Sequence, residues 1–475
     1  MTPDDKQPEL KATPQQIALK PGGILTALVL AVVVVQLCNT MLAPALPDMA
    51  TRLNTSNETV GLIHGFFFLL SGLVSIAAAS YSDHMDRRKL VLISLSVTCA
   101  GLVVATVAPN IAVLLIGRLL QAASGALFPL ALRILRETLP REGFGRGMGI
   151  VTAAYAGATS IDVVLAGWLT DSYGFRAVLA FMVLVTAIAI VVVRVSLPNL
   201  PATESGRVDR LGTVLLCLSL SAIQAGIGMA ANAGLVVAAS SVAVGMALFA
   251  GFWMVEKRSS APLIPVDYLR SRDAWPVVAT SALTFTGILS VINYTMPVLS
   301  QDHNGGYGNS AIITSLAFLV PIALVTLVFS PITGHFAPKI GWRRTLHVAL
   351  IGAVPVLIAL VLAVGQRAEW LAIVMMAVLG VFNAMALTAV NGLSVILAPE
   401  RNPGILPGIN STAFGVGVSL GITIAAQLAA RGPADDPAST TGFEQALWMA
   451  AIAVALAFLT SLAVPRRADR NAEGA

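Results

Sequence analysis

The residue with the most chemistry to explain is Asp162. It sits in a 26-residue stretch, GRGMGIVTAAYAGATSIDVVLAGWLT from Gly145 to Thr170, flanked by Ile161, Val163, Val164 and Leu165. A carboxylate inside hydrocarbon is costly unless it is paired, protonated or facing water. No other Asp or Glu stands at comparable depth in an apolar stretch, so Asp162 is expected to be functional. Its expected partner is Arg118, eight residues beyond Asn110. Asp162 lies about eight residues before the end of its own stretch, so both fall roughly 12 Å below one surface. His64 and Asn39 are expected in nearly the same layer, giving four polar residues from four helices at one depth. The pair could be a fixed tie between two helices, whose breakage costs a few kcal/mol. It could instead be a coupling site, where Asp162 accepts a proton only when Arg118 moves away or a cationic substrate leaves.

Other chemistries find no support. No G-x-x-x-x-G-K-[ST] loop occurs, so ATP-driven pumping is not expected. Cys38, Cys99 and Cys217 all fall in apolar stretches, with neither a metal motif nor a disulfide framework. The net charge of +5 is spread over short loops, which speaks against nucleic-acid binding. The glycine patches Gly145–Gly149 and Gly415–Gly421 suit close helix packing.

The elements that must hold these residues are membrane helices. The chain is 56% hydrophobic and 11% charged, against about 25% charged in soluble domains. Fourteen runs reach the ~20 residues a spanning helix needs: near 24–45, 59–79, 90–108, 111–132, 146–169, 175–196, 211–231, 233–254, 275–299, 311–333, 345–365, 369–397, 404–429 and 444–464. With the N-terminus inside, 24 of the 29 Lys and Arg residues collect on the cytoplasmic side, as the positive-inside rule requires. Arg52, Arg176, Arg367 and Arg431 fall outside, and Arg118 lies within a span.

The order implies a 1–22 cytoplasmic tail, a six-helix bundle at 23–199, an inserted helix pair at 200–256, a connector at 257–274, a second bundle at 275–465 and a 466–475 tail. The loop after the second run, ASYSDHMDRRK from Ala79 to Lys89, has a counterpart in GHFAPKIGWRR from Gly334 to Arg344. Two halves with corresponding basic turns mark a repeat-built transporter, with its site between the halves.

On these motifs the chain resembles the major facilitator superfamily, in its fourteen-helix, drug:proton-antiporter-like branch. The family loop G-x-x-x-D-R-x-G-R-R is matched at Asp83, Arg87 and Arg88, and its second copy at Lys339, Arg343 and Arg344. The fourth-helix R-x-x-Q-G appears as Arg118, Gln121 and Ala122. The resemblance implies an all-α membrane protein, two six-helix bundles plus an inserted pair. It implies gating by Asp83, Arg87 and Arg88, and a proton-coupling or substrate site at Arg118 and Gln121. Asn293 of the second half joins the expected cavity residues. Two features depart from the branch. The first-helix acid is missing from Cys38–Pro47, CNTMLAPALP, and the fifth-helix signature has Asp162 and Val163 in place of Gly and Pro.

The reading is a transporter rather than an enzyme, with no metal or cofactor and the proton gradient as its energy source. It would be a monomer in a bacterial inner membrane, both termini cytoplasmic, exporting a small amphipathic or cationic compound against protons. The alternative is a uniporter or importer of a small metabolite without proton antiport. A non-transporting sensor or scaffold is a third reading.

Overall fold

The computed structural model describes residues 21–139, 141–202, 209–230, 234–259, 266–399, 404–431 and 439–466. Among these residues, fourteen helical spans are long and apolar enough to cross a membrane: Gly22–Arg52, Asn57–Ala78, Arg87–Thr106, Ile111–Thr138, Gly145–Tyr173, Phe175–Ser196, Leu211–Met229, Leu235–Arg258, Trp275–Gln301, Ala311–Ile340, Trp342–Gly365, Glu369–Ile396, Ile405–Ala429 and Thr441–Ser461. They are numbered spans 1 to 14 below. No strand occurs among the described residues. The chain is thus the expected all-α membrane protein of fourteen spans.

Local chemistry sets where the spans begin. Ser56, Asp86, Asn110, Asp209 and Ser310 each turn a side-chain oxygen onto a backbone N–H three residues on, filling one orphan donor of a helix start. Gly174 and Gly341 adopt φ of 85° and 106° between consecutive spans, a backbone region where a side chain would be strained. Span 1 departs from expectation. It continues past residue 45 through a 3-10 turn, Ala43–Ala45, into the short helix Leu46–Arg52. Pro44 and Pro47 sit in first-turn positions of these pieces, where a missing N–H costs nothing.

The end that carries the Lys- and Arg-rich loops is called the basic end, and the opposite one the far end. Spans 2 and 13 lie against each other along much of their length. A Cβ on Gly72 would come 3.0 Å from the Gly415 Cα, so two small residues let the backbones touch. Spans 5 and 10 meet differently at their two ends. Toward the far end a Cβ on Gly167 would come 2.6 Å from the Ser315 Oγ. There both carboxylate oxygens of Asp171 accept from the Ala311 and Ile312 N–H groups at 2.9 Å. Toward the basic end Gly145, Gly149 and Gly157 face open space. This seam is shut at the far end.

The inserted pair, spans 7 and 8, packs on itself, and span 7 also lies on spans 2 and 13. Among its described residues the connector holds one short helix, Val266–Leu269.

Candidate functional site

Two polar nests stand in the first half. In the first, Arg118 and Gln121 share a face of span 4, and His64 and Phe67 a face of span 2, both at the i,i+3 spacing that puts side chains side by side. One Arg118 nitrogen donates to Gln121 Oε1 at 2.6 Å and another to His64 Nδ1 at 3.0 Å. The guanidinium carbon lies 4.1 Å from the Phe67 ring centre, a cation–π contact. Gln121 in turn donates to the Gly101 carbonyl at 3.4 Å. A guanidinium only donates, so His64 Nδ1 accepts and the neutral ring carries its proton on Nε2. That Nε2 is buried and has no hydrogen-bond partner.

The second nest belongs to spans 1 and 5. Tyr155 and Asp162 are two helical turns apart and so share a face. Asn39 donates to the Tyr155 hydroxyl at 3.2 Å, and Thr40 to Asp162 Oδ2 at 2.6 Å. The Thr40 hydroxyl also lies 3.0 Å from the Gln36 carbonyl and accepts from Gln36 Nε2 at 3.1 Å. With one proton it serves either Asp162 or the carbonyl, not both. Asp162 is 3% exposed, and its Oδ1 has no hydrogen-bond partner.

The expected Arg118–Asp162 ion pair is not made. Arg118 turns to span 2 and Asp162 to span 1, and no ion pair links them among the described residues. The two residues stand at different depths. The helix of span 5 runs to Tyr173, leaving Asp162 eleven residues, roughly 16 Å, from its far end. Arg118 is seven residues, about 10 Å, past Ile111. Asn39 is deeper than expected for a like reason, being thirteen residues before the end of span 1 at Arg52.

In the second half, Asn293 sits in a π-helical segment, Val291–Thr295, and a second such segment, Ser315–Leu319, occurs in span 10. Each ends two residues before a proline, Pro297 and Pro321. A proline inside a helix removes one N–H and crowds the carbonyl four residues back, so the ladder must re-space. Single-turn π segments cluster at functional sites. Asn293 Nδ2 donates to the Leu289 carbonyl at 3.1 Å, while its Oδ1 is buried without a partner. A small apolar seal of Ala43, Val163 and Leu319, backed by Ile292 and Val320, crosses from one half to the other beside Asp162.

At the basic end, Asp83 falls in the helix Asn57–His84, and its side chain lies outside the described residues. Arg87 is buried and binds the Pro201 carbonyl and, at 3.4 Å, Glu137. Arg88 donates to Asn199 at 2.8 Å and to the Arg194 carbonyl at 2.5 Å. In the second half Arg343 donates to the Leu462 carbonyl at 2.9 Å, Arg344 lies 3.5 Å from the Ile340 carbonyl, and Lys339 is 2.9 Å from His335 Nε2. Arg88 and Arg343 thus make the same kind of contact. Each ties the start of its half's third helix to the end of its sixth.

Thr40, Tyr155, Glu58 and Gln224 were not anticipated from the sequence. The two-turn spacing of Tyr155 and Asp162, and Pro297 and Pro321 inside apolar runs, were the available signals.

A family model described as Major Facilitator Superfamily matches residues 28–422. The chain is 32% identical over 456 residues to a uridine/deoxyuridine transporter of Lactococcus lactis subsp. cremoris, covering 94% of this chain and 95% of that one. It is 25% identical to the tetracenomycin C resistance and export protein of Streptomyces glaucescens, over 84% of this chain and 74% of the relative. Among solved structures, a D-xylose-proton symporter superposes with a TM-score of 0.66 at 13% identity, covering 93% and 97% of the two chains. A POT family transporter in complex with 5-aminolevulinic acid superposes with 0.69 at 13% identity, covering 92% and 94%. The chain belongs to the major facilitator superfamily.

Proposed function

We propose that this protein carries a neutral, polar, nucleoside-like solute across a bacterial inner membrane together with protons, by alternating access. The basic end would face the cytoplasm, as the charge distribution favours. The uridine/deoxyuridine transporter, alike along nearly its whole length, supports the solute class. The polar groups of both halves agree with it: the buried, unpartnered donor at His64 Nε2 and acceptor at Asn293 Oδ1 are of the kinds that sugar hydroxyls and base edges need. The gap at the first-helix acid also points away from a site built for cationic compounds.

The observation that carries the coupling is Asp162. Its carboxylate is held by one hydroxyl, has one oxygen to spare, and does not hold Arg118. Such a group can gain and lose a proton without breaking an ion pair. Arg118, Gln121 and His64 would then form the solute-facing wall, and Asn39 and Tyr155 would orient span 1 against span 5. Arg87, Arg88, Arg343 and Arg344 would act at the basic end by holding the helix ends of each half together.

Export of a drug-like compound is the second reading, and the 25% identical tetracenomycin C resistance and export protein favours it. Purified protein in proteoliposomes separates the two. With an inward proton gradient, radiolabelled uridine is expected to accumulate above its outside concentration, and a protonophore should abolish this. No accumulation of any nucleoside, together with gradient-driven movement of a cationic dye in the opposite sense, would overturn the nucleoside reading.

A further inference from the structure

The inserted helix pair has no place in the transport scheme above, yet span 7 reaches into the junction between the halves. Gln224 is almost fully buried. Its Nε2 donates to Thr423 Oγ1 at 3.2 Å, and its Oε1 accepts from the Ser419 hydroxyl, both on span 13. A Cβ on Gly65 of span 2 would come 2.8 Å from Gln224 Nε2. One amide therefore touches both halves, and Gly65 leaves the space for it. One turn on, Gln427 of span 13 uses its Nε2 twice, donating to Glu58 of span 2 and to the Gly228 carbonyl of span 7. A Cβ on Gly228 would come 2.2 Å from the Leu62 Cδ1, so span 7 also rests on span 2 by shape.

We propose that span 7 is a clasp for the far-end-closed state, holding span 13 on span 2 through Gln224 and the Gly228 carbonyl. The geometry gives the reason. Glu58 is the second residue of its helix and Gln427 lies two residues before the end of its own, so opening the far end must part them. Gln224 and Gly228 stand in the same third of the bundle. If the inserted pair follows the first half, the bonds from Gln224 to Ser419 and Thr423 break. If it follows the second half, the contacts to Leu62 and Gly65 break. In either case the pair opposes opening. Ordinary hydrogen bonds in membranes are modest, which suits a device that sets a population without locking it. The clasp does not depend on which solute is carried.

Electron–electron resonance distances test this on the full-length protein. Spin labels would be placed at exposed far-end positions Ser172 and Gln366, after replacing Cys38, Cys99 and Cys217. Gln224→Met keeps the volume but loses both hydrogen bonds, and is expected to raise the far-end-open fraction about fivefold or more. Ser419→Ala removes one bond and should move the distribution the same way by less. Ser241→Ala is the control, because its hydroxyl bonds only within the inserted pair, to the Ala222 carbonyl, and should leave the distances unchanged. Distributions for Gln224→Met and Ser419→Ala that superimpose on the parent would overturn the clasp. Should Gln224→Met fail to fold, Ser419→Ala decides alone, by the same criterion.

Discussion

The two polar nests of the first half are similar in size and differ in how fully they are closed. Arg118 has a carboxamide, an imidazole and an aromatic face around it. Asp162 has one hydroxyl, and that hydroxyl has a competing acceptor. A buried charge held by two side chains and a ring face resists movement more than one held by a single hydroxyl, because moving it leaves more partners unsatisfied. A buried carboxylate with a spare oxygen and a donor that can turn away is able to change state in place. On the proposed function the contrast separates two roles that a simple ion pair would have merged: Arg118 would shape the solute site, and Asp162 would handle the proton.

The comparison can be broken at several points. Arg118→Lys should be the most damaging, because an ammonium cannot reproduce the planar fork that reaches Gln121 and His64 together. Losing one or two charge-assisted hydrogen bonds, at about 1.5–3 kcal/mol each, should weaken solute binding roughly 10-fold to 100-fold or more. Equilibrium binding of labelled uridine would show it. Thr40→Val removes the side-chain donor to Asp162 and nearly keeps the shape. Gradient-driven uptake should fall about tenfold, while solute exchange with no gradient stays within about twofold. Equal loss in both assays would mean that Thr40 shapes the solute site as well.

A double-mutant cycle joins the nests. Arg118→Gln and Asp162→Asn, scored by uridine affinity, should add to within about 0.5 kcal/mol, as expected of sites that share no partner. A coupling above about 1 kcal/mol would restore the paired reading in a conformation other than this one.

The smallest effect lies outside the membrane. Burial, and next to it the charge of Glu369, push the Tyr307 hydroxyl up to about 12. The neutral form is therefore favoured by folding, and its contribution to stability is present below pH ~10 and lost as the pH climbs toward 12. Tyr307→Phe, which keeps the stacking on Phe318, should remove part of that alkaline fall in melting temperature and change little at pH 7.

Much of the fold was legible because hydrocarbon demands long apolar runs, and because basic residues gather at one end. The fourteen spans follow from those two facts, and the paired basic loops revealed the repeat. Asp162 was legible for a similar reason, as an acid deep in such a run. Its partner was not. Depth along a helix is readable from sequence, but the direction in which a side chain points is set by packing. Small errors in span ends, at Tyr173 and Arg52, then misplaced the layers by several ångströms. Thr40 looked like an ordinary neighbour of Asn39 until span 5 was seen to lie against it. Gln224 gave no signal, because its role exists only where three separate spans converge.

The central claim is that Asp162 is the proton carrier because Arg118 does not hold it. It is tested most directly by proton movement itself. Proteoliposomes loaded with a pH dye, at zero membrane potential, should show proton entry when uridine is added outside to the wild-type protein. Asp162→Asn should show uridine exchange and no proton entry. Proton entry in that variant at the wild-type ratio to uridine would contradict the account.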